Sequence, residues 1–151
     1  MARALAILWG LLIFCAVQIC AQVKTYNYRT GEVRFTQGEQ EITLKLQETS
    51  YYYVDTASHR IGISLRYSPE GRPGTTPTLY LHFWKDAGPL FISSLEVSGP
   101  RGNTYYDPAE SKCTVQVSQM DVQGVEGSGK CEGSFEGGGP PIRAFSFSGR
   151  R

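Results

Sequence analysis

Cys113 and Cys131 are the two residues whose chemistry is most constrained by their spacing. They stand eighteen positions apart, and Cys113 alternates with Val115 and Val117 in a strand-like pattern. If they face each other in an antiparallel hairpin, paired positions sum to 244 and the turn centres on residue 122. The tip is then Met120-Asp121-Val122-Gln123-Gly124, with Gly124 available for a positive φ. Cys131 shares parity with Phe135, so both sulfurs are expected on the core side. A disulfide is the expectation, contributing about 3 kcal/mol mainly by restricting the unfolded chain.

The run Gly124-Val125-Glu126-Gly127-Ser128-Gly129-Lys130 has the outline of a phosphate-binding loop. The hydroxyl that would hold magnesium is replaced by Cys131, and the glycine-rich Glu132–Gly137 cannot continue as the helix whose N-terminus cradles phosphate. A glycine-rich hairpin is the better reading. The histidines also stand apart: His59 lies in a turn-like segment and His82 in a strand pattern beside Trp84. No C-x-x-C or H-x-x-x-H spacing occurs, so neither metal nor cofactor is expected. No G-x-S-x-G elbow accompanies His82, which is expected at the surface or rim, and no catalytic residue is assigned. Asp55, Asp86, Asp107 and Glu110 lie near aromatic residues, and a glycosidase needs only two carboxyl groups about 5–10 Å apart. Fourteen acidic residues supply some such pair by chance, so the signal is not specific.

Aromatic residues are the candidate ligand-binding set: Tyr51, Tyr52, Tyr53, Tyr105 and Tyr106. Neighbours in a strand alternate faces, so either Tyr52 or the pair Tyr51 and Tyr53 must point outward. A tyrosine ring with its polar tip suits the face of a sugar or a peptide. Cross-strand pairing on a solvated sheet is the structural alternative.

Strands must position these side chains. Period-two alternation runs through Glu41–Glu48, Arg60–Tyr67, Thr78–Trp84 and Cys113–Val117. Weaker candidates are Val33–Thr36, Tyr51–Asp55, Phe91–Val97, Lys130–Phe135 and Ile142–Phe147. Gly and Pro punctuate the intervals, as in Ser68-Pro69-Glu70-Gly71 and Gly99-Pro100. The expectation is an all-β chain, an antiparallel β-sandwich of about 8–9 short strands, with a small lipocalin-like β-barrel as the alternative. Seven glycines lie between Gly124 and Gly139, followed by Pro140-Pro141. Their first half is expected to hold bulges or close approaches and their second half an exposed loop.

The domain is preceded by a targeting segment. Arg3 is followed by the apolar run Ala4–Val17 and by small Ala21 before polar Gln22, the layout of a secretory signal peptide over residues 1–21. Fourteen helical residues reach only about 21 Å, short of the roughly 30 Å of a hydrocarbon core, so cleavage is favoured over a transmembrane anchor. Ile19 before Cys20 and Phe14 before Cys15 fit a lipid-anchor signal poorly. Residues 22–151 then form a single domain without a transmembrane span. Loss of Arg3 from the 15 basic residues leaves 14 against 14 acidic ones, a neutrality that argues against a nucleic-acid partner.

The strand Gly102-Asn103-Thr104-Tyr105, the V-x-V pair Val115 and Val117, the Gly133-Ser134-Phe135 segment and the closing Phe145-Ser146-Phe147 resemble uncharacterised bacterial exported β-sandwich proteins, over about residues 78–149. Many of those are lipid-anchored, and Cys113 and Cys131 are a departure from their pattern. The resemblance implies a sandwich in a bacterial envelope setting and carries no activity. The leading functional expectation is an exported non-catalytic binding or structural module, secreted or periplasmic, with a glycan or an envelope protein as partner. The alternatives are a small secreted hydrolase acting on glycans and a lipid or small-molecule carrier with an apolar barrel interior.

Overall fold

The computed structural model describes residues 22–73 and 75–151. The expected targeting segment over residues 1–21, with its expected cleavage position and Cys15 and Cys20, lies outside the described residues. The domain is all-β: β1 (Val23–Asn27), β2 (Glu32–Gln37), β3 (Gln40–Leu46), β4 (Tyr51–Asp55), β5 (Arg60–Ser68), β6 (Thr78–Lys85), β7 (Phe91–Gly99), β8 (Gly102–Tyr105), β9 (Ser111–Met120), β10 (Gly124–Gly133) and β11 (Ile142–Arg150). Eleven strands replace the eight or nine expected. The five-residue β1 is not among the expected strands, and β8 is the Gly102–Tyr105 strand that the resemblance names and alternation does not.

All the strands pair antiparallel in one curled sheet, ordered β8-β7-β6-β5-β3-β2-β11-β10-β9. A branch leaves β5, whose N-terminal half pairs with β4 while its C-terminal Tyr67 and Ser68 pair with Leu46 and Lys45 of β3. β1 then extends the branch beside β4. The curl brings two layers face to face, the architecture of a sandwich or a small barrel. Their inner faces supply Val33, Phe35 and Leu44 from one layer and Ile63, Leu65, Leu79, Leu81, Phe83, Leu95 and Val97 from the other, all buried. Phe83 of β6 meets Phe147 of β11 with ring centroids 5.4 Å apart. The fully buried Tyr28 and Tyr67 place their hydroxyls on backbone acceptors, Asp121 O at 2.7 Å and Ser148 O at 3.0 Å. Those bonds are what permit a phenol inside a core.

The disulfide joins Cys113 to Cys131 at directly opposed positions, with Cα atoms 4.1 Å apart. Both cysteines pack on the core side, Cys131 buried and Cys113 partly buried. The summed register of 244 holds from Gly133↔Ser111 to Gly127↔Val117, and a bulge at Ser118 then shifts it by one. The turn falls at Asp121–Gln123 as expected, but Gly124 does not take a positive φ. Instead the Asp121 carboxylate accepts from the N–H groups of Gln123 and Gly124, at 2.7 and 3.0 Å. A side-chain acceptor thus does the work expected of a left-handed glycine.

The glycine-rich stretch has two structural roles. Its first half is strand, so β10 begins at Gly124 and not at Lys130. A Cβ at Gly129 would lie 2.2 Å from the Phe145 ring and one at Gly127 would lie 2.6 Å from that of Phe147, so the missing side chains make room for two core aromatics. The second half is exposed yet not a free loop. Glu136 exchanges two 3.0 Å backbone bonds with Tyr105, and Gly139 N–H donates to Asn103 O at 2.9 Å. The segment therefore seals the outer edge of β8. Beneath it, buried Thr104 accepts from Gln37 Nε2 at 3.3 Å and donates to Pro140 O at 3.0 Å.

Replacing both Cys113 and Cys131 by alanine is expected to cost about 3 kcal/mol in urea unfolding. The wild-type protein under reductant should match that variant. Gly129→Ala, which drives a methyl into Phe145, is expected to cost about 1–3 kcal/mol. A midpoint equal to the wild type would mean that the ring can move aside.

Candidate functional site

The outward positions of β4 to β7 bring together an aromatic face. The pairing register builds it in rows across the strands. One row is Tyr53, Gly62, Trp84 and Phe91; the next is Tyr51, Ser64, His82 and Ser94; the third is Arg66, Tyr80, Glu96 and Tyr105. The same alternation that buries Ile63, Leu65, Leu81 and Phe83 forces these side chains to the other side of the sheet.

β5 forms the floor because its outward residues are small. A Cβ at Gly62 would fall 2.3 Å from the Tyr53 ring, so that ring lies across the glycine. Ser64 is buried at 2% exposure although it faces outward, because rings cover it, and its hydroxyl meets Tyr80 Oη at 3.5 Å. Tyr53, His82 and Tyr80 have nearly parallel rings, at 17° and 2°, with centroids 6.0 and 6.4 Å apart. At those separations the rings are offset and do not cover one another's faces. Tyr51 adjoins Tyr53 at 6.3 Å. At one end the Arg60 guanidinium sits 3.7 Å from the Trp84 ring, whose stacking partner Phe91 is 4.9 Å away and 45% exposed. At the other end Arg66 lies 5.0 Å from Tyr80. Cations on the ring quadrupoles hold these aromatics upright on a solvated surface.

His82 is fixed by a bulge. The register slips between His82↔Ser94 and Phe83↔Ile92, leaving Ser93 as the extra residue. Ser93 thereby reaches the histidine and hydrogen-bonds its Nδ1. The Ser93 hydroxyl is also within reach of His82 O at 3.2 Å, so it can donate there or to Nδ1, according to the imidazole tautomer. No carboxylate is hydrogen-bonded to His82 among the described residues. Burial between its neighbours holds the imidazole below its ordinary value of 6.5, which keeps it neutral at pH 7.

Of the candidate tyrosines, Tyr51 and Tyr53 reach this face and Tyr105 borders it through Glu96. Tyr52 does not: it is 7% exposed, inside the core beside Tyr26. Tyr106 packs against the core as well, just past the end of β8. Tyr80, Trp84, Phe91, Arg60 and Arg66 belong to the face without having been singled out from sequence. Their signal was the shared parity of Tyr80, His82 and Trp84, which reads equally well as an ordinary polar face. Of the four candidate carboxylates, only Asp107 and Glu110 share a turn, where Glu110 N–H donates to Asp107 O at 3.3 Å. Asp55, Asp86 and Asp107 each accept from the N–H two residues ahead, in three separate turns. Among the described residues no group of three His, Cys, Asp or Glu side chains could hold a metal ion, and no helix is long and apolar enough to cross a membrane.

No protein-family model, curated protein or solved structure matches the chain.

The lowered His82 value fixes the sign of a pH effect. The folded state holds the neutral ring, so below about pH 6.5 the unfolded chain binds more protons and stability falls. The loss levels off once pH passes the folded-state value. In urea unfolding from pH 7.5 to pH 4.5, the wild type should lose stability relative to His82→Gln. Parallel curves for the two proteins would contradict this.

Proposed function

We propose that this chain is an exported, non-catalytic binding module of the bacterial envelope, secreted or periplasmic, and that the outer face of β4–β7 is its binding platform for a glycan. The observation that carries this reading is the offset, near-parallel set of Tyr53, His82 and Tyr80 rings, with Tyr51 adjoining and a Gly62–Ser64 floor. A pyranose presents a patch of C–H bonds on its face and hydroxyls at its rim. Aromatic rings take the first, and polar groups between them take the second. Here the polar groups are Ser93, Ser94, Glu96 and the exposed Asn27, which pairs with Tyr51 at the border of the face. The cysteine pair suits an oxidising compartment, in keeping with export.

Less supports the two other readings. A glycan hydrolase needs two facing carboxyl groups, and Asp55, Asp86 and the Asp107–Glu110 pair lie in three different turns. A carrier needs an apolar cavity, and the space between the layers is filled by Phe35, Phe83, Phe145, Phe147 and Tyr67.

Trp84 is the one tryptophan within residues 22–151, and it stands on the proposed platform. Titration of residues 22–151 with soluble oligosaccharides should therefore change its fluorescence directly. Tyr53→Ala and Tyr80→Ala should each weaken binding at least tenfold, about 1.4 kcal/mol, while near-ultraviolet dichroism stays native. Glycan affinity unchanged in both variants would remove the platform from the reading.

A further inference from the structure

The sheet ends at three outer strands, and they are treated differently. β8 is sealed by Glu136–Gly139, and β1 offers only five residues. β9 is ten residues long and pairs on one side only, with β10. Cys113–Val117 (CTVQV), ahead of the bulge at Ser118, contains no charge, proline or glycine to discourage pairing at the edge. Beside it runs a groove of about 450 Å³ lined by Val115, Val117, Met120, Leu90, Gly88 and Lys85. Leu90, Val115, Val117 and Met120 are only partly buried there.

We propose that β9 pairs antiparallel with β9 of a second copy of this chain, about a twofold axis through Val115. A row of unpaired N–H and C=O groups is matched by an extended backbone, and an uncharged segment can face a copy of itself without opposing like charges. Ser111 closes one end of the free run, because its N–H already donates to Asp107 O at 2.7 Å. The bulge at Ser118 closes the other. Between them the straight segment is centred near Val115. Side chains paired across an antiparallel edge must point to the same face, so the two residue numbers must have an even sum. Centring on Val115 satisfies this: Val115 meets its own copy, Cys113 meets the copy's Val117, and Thr114 meets the copy's Gln116. Lys112 then faces the copy's Ser118, so no like charges are opposed. Val115 and Val117 of each copy then adjoin the other's groove, which Leu90 and Met120 line together with Lys85, Ser118 and Gln119, and the two curled sheets become continuous.

Thr114 and Gln116 are exposed and outward, so substitutions there test the edge without entering the core. Sedimentation equilibrium of residues 22–151 should give a mass rising towards twice the monomer with concentration. The T114K/Q116K protein opposes like charges across the axis and should stay monomeric with native dichroism, although the T114K side chain also faces Lys130 of its own chain and lowers the unfolding midpoint slightly. The T114K/Q116E protein opposes opposite charges and should recover the dimer in low salt. A wild-type protein monomeric up to millimolar concentration overturns the proposal. So does a dimer that survives T114K/Q116K, or one that T114K/Q116E fails to restore.

Discussion

Everything in this domain hangs on β5 serving two partners along one edge. Its first half pairs with β4 and its last two residues with β3, so the sheet must diverge there and curl. The same strand divides the molecule chemically. Ile63, Leu65 and Tyr67 point into the core, and Gly62 and Ser64 lie beneath the aromatic face. A one-residue slip would exchange the two sets and lose both the core and the platform. The position of every ring on the outside is in that sense a by-product of burying an isoleucine, a leucine and a tyrosine on the inside.

Strands with an apolar parity were legible in the sequence because burial of one face is written into them directly. The run Arg60–Tyr67 corresponds to β5 at Arg60–Ser68, and Thr78–Trp84 to β6 at Thr78–Lys85. The cysteine pair was legible for a related reason: a direct cross-strand bond fixes one sum, and 244 located the turn. β10 was only half visible. Glycine at 127 and 129 carries no hydropathy, and it is selected by rings on a different strand, Phe147 and Phe145. A pattern within one segment holds no trace of such a neighbour.

The candidate site shows the same division. Alternation reduced Tyr51–Tyr53 to two options, and the core, not the sequence, decided between them by taking Tyr52. Ser93 and His82 were beyond reach because a bulge brings them together, and a bulge breaks the counting rule on which strand reading depends. Arg60 and Arg66 were invisible for another reason. A charged residue in a strand reads as a solvated position whether or not it rests on a ring of the neighbouring strand.

β11 is the last strand in chain order but central in the sheet, bonded to β2 on one side and β10 on the other. Until residues 142–150 are available, β2 and β10 have no partner on those edges, and Phe83 has no Phe147 to meet. Hairpins such as β2–β3 and β5–β6 join chain neighbours, but closure of the sheet waits for β11, and the contacts closed last span most of the described chain. A strand late in the chain but central in the sheet thus ties completion of the core to the arrival of residues 142–150, whatever the order in which the other hairpins form.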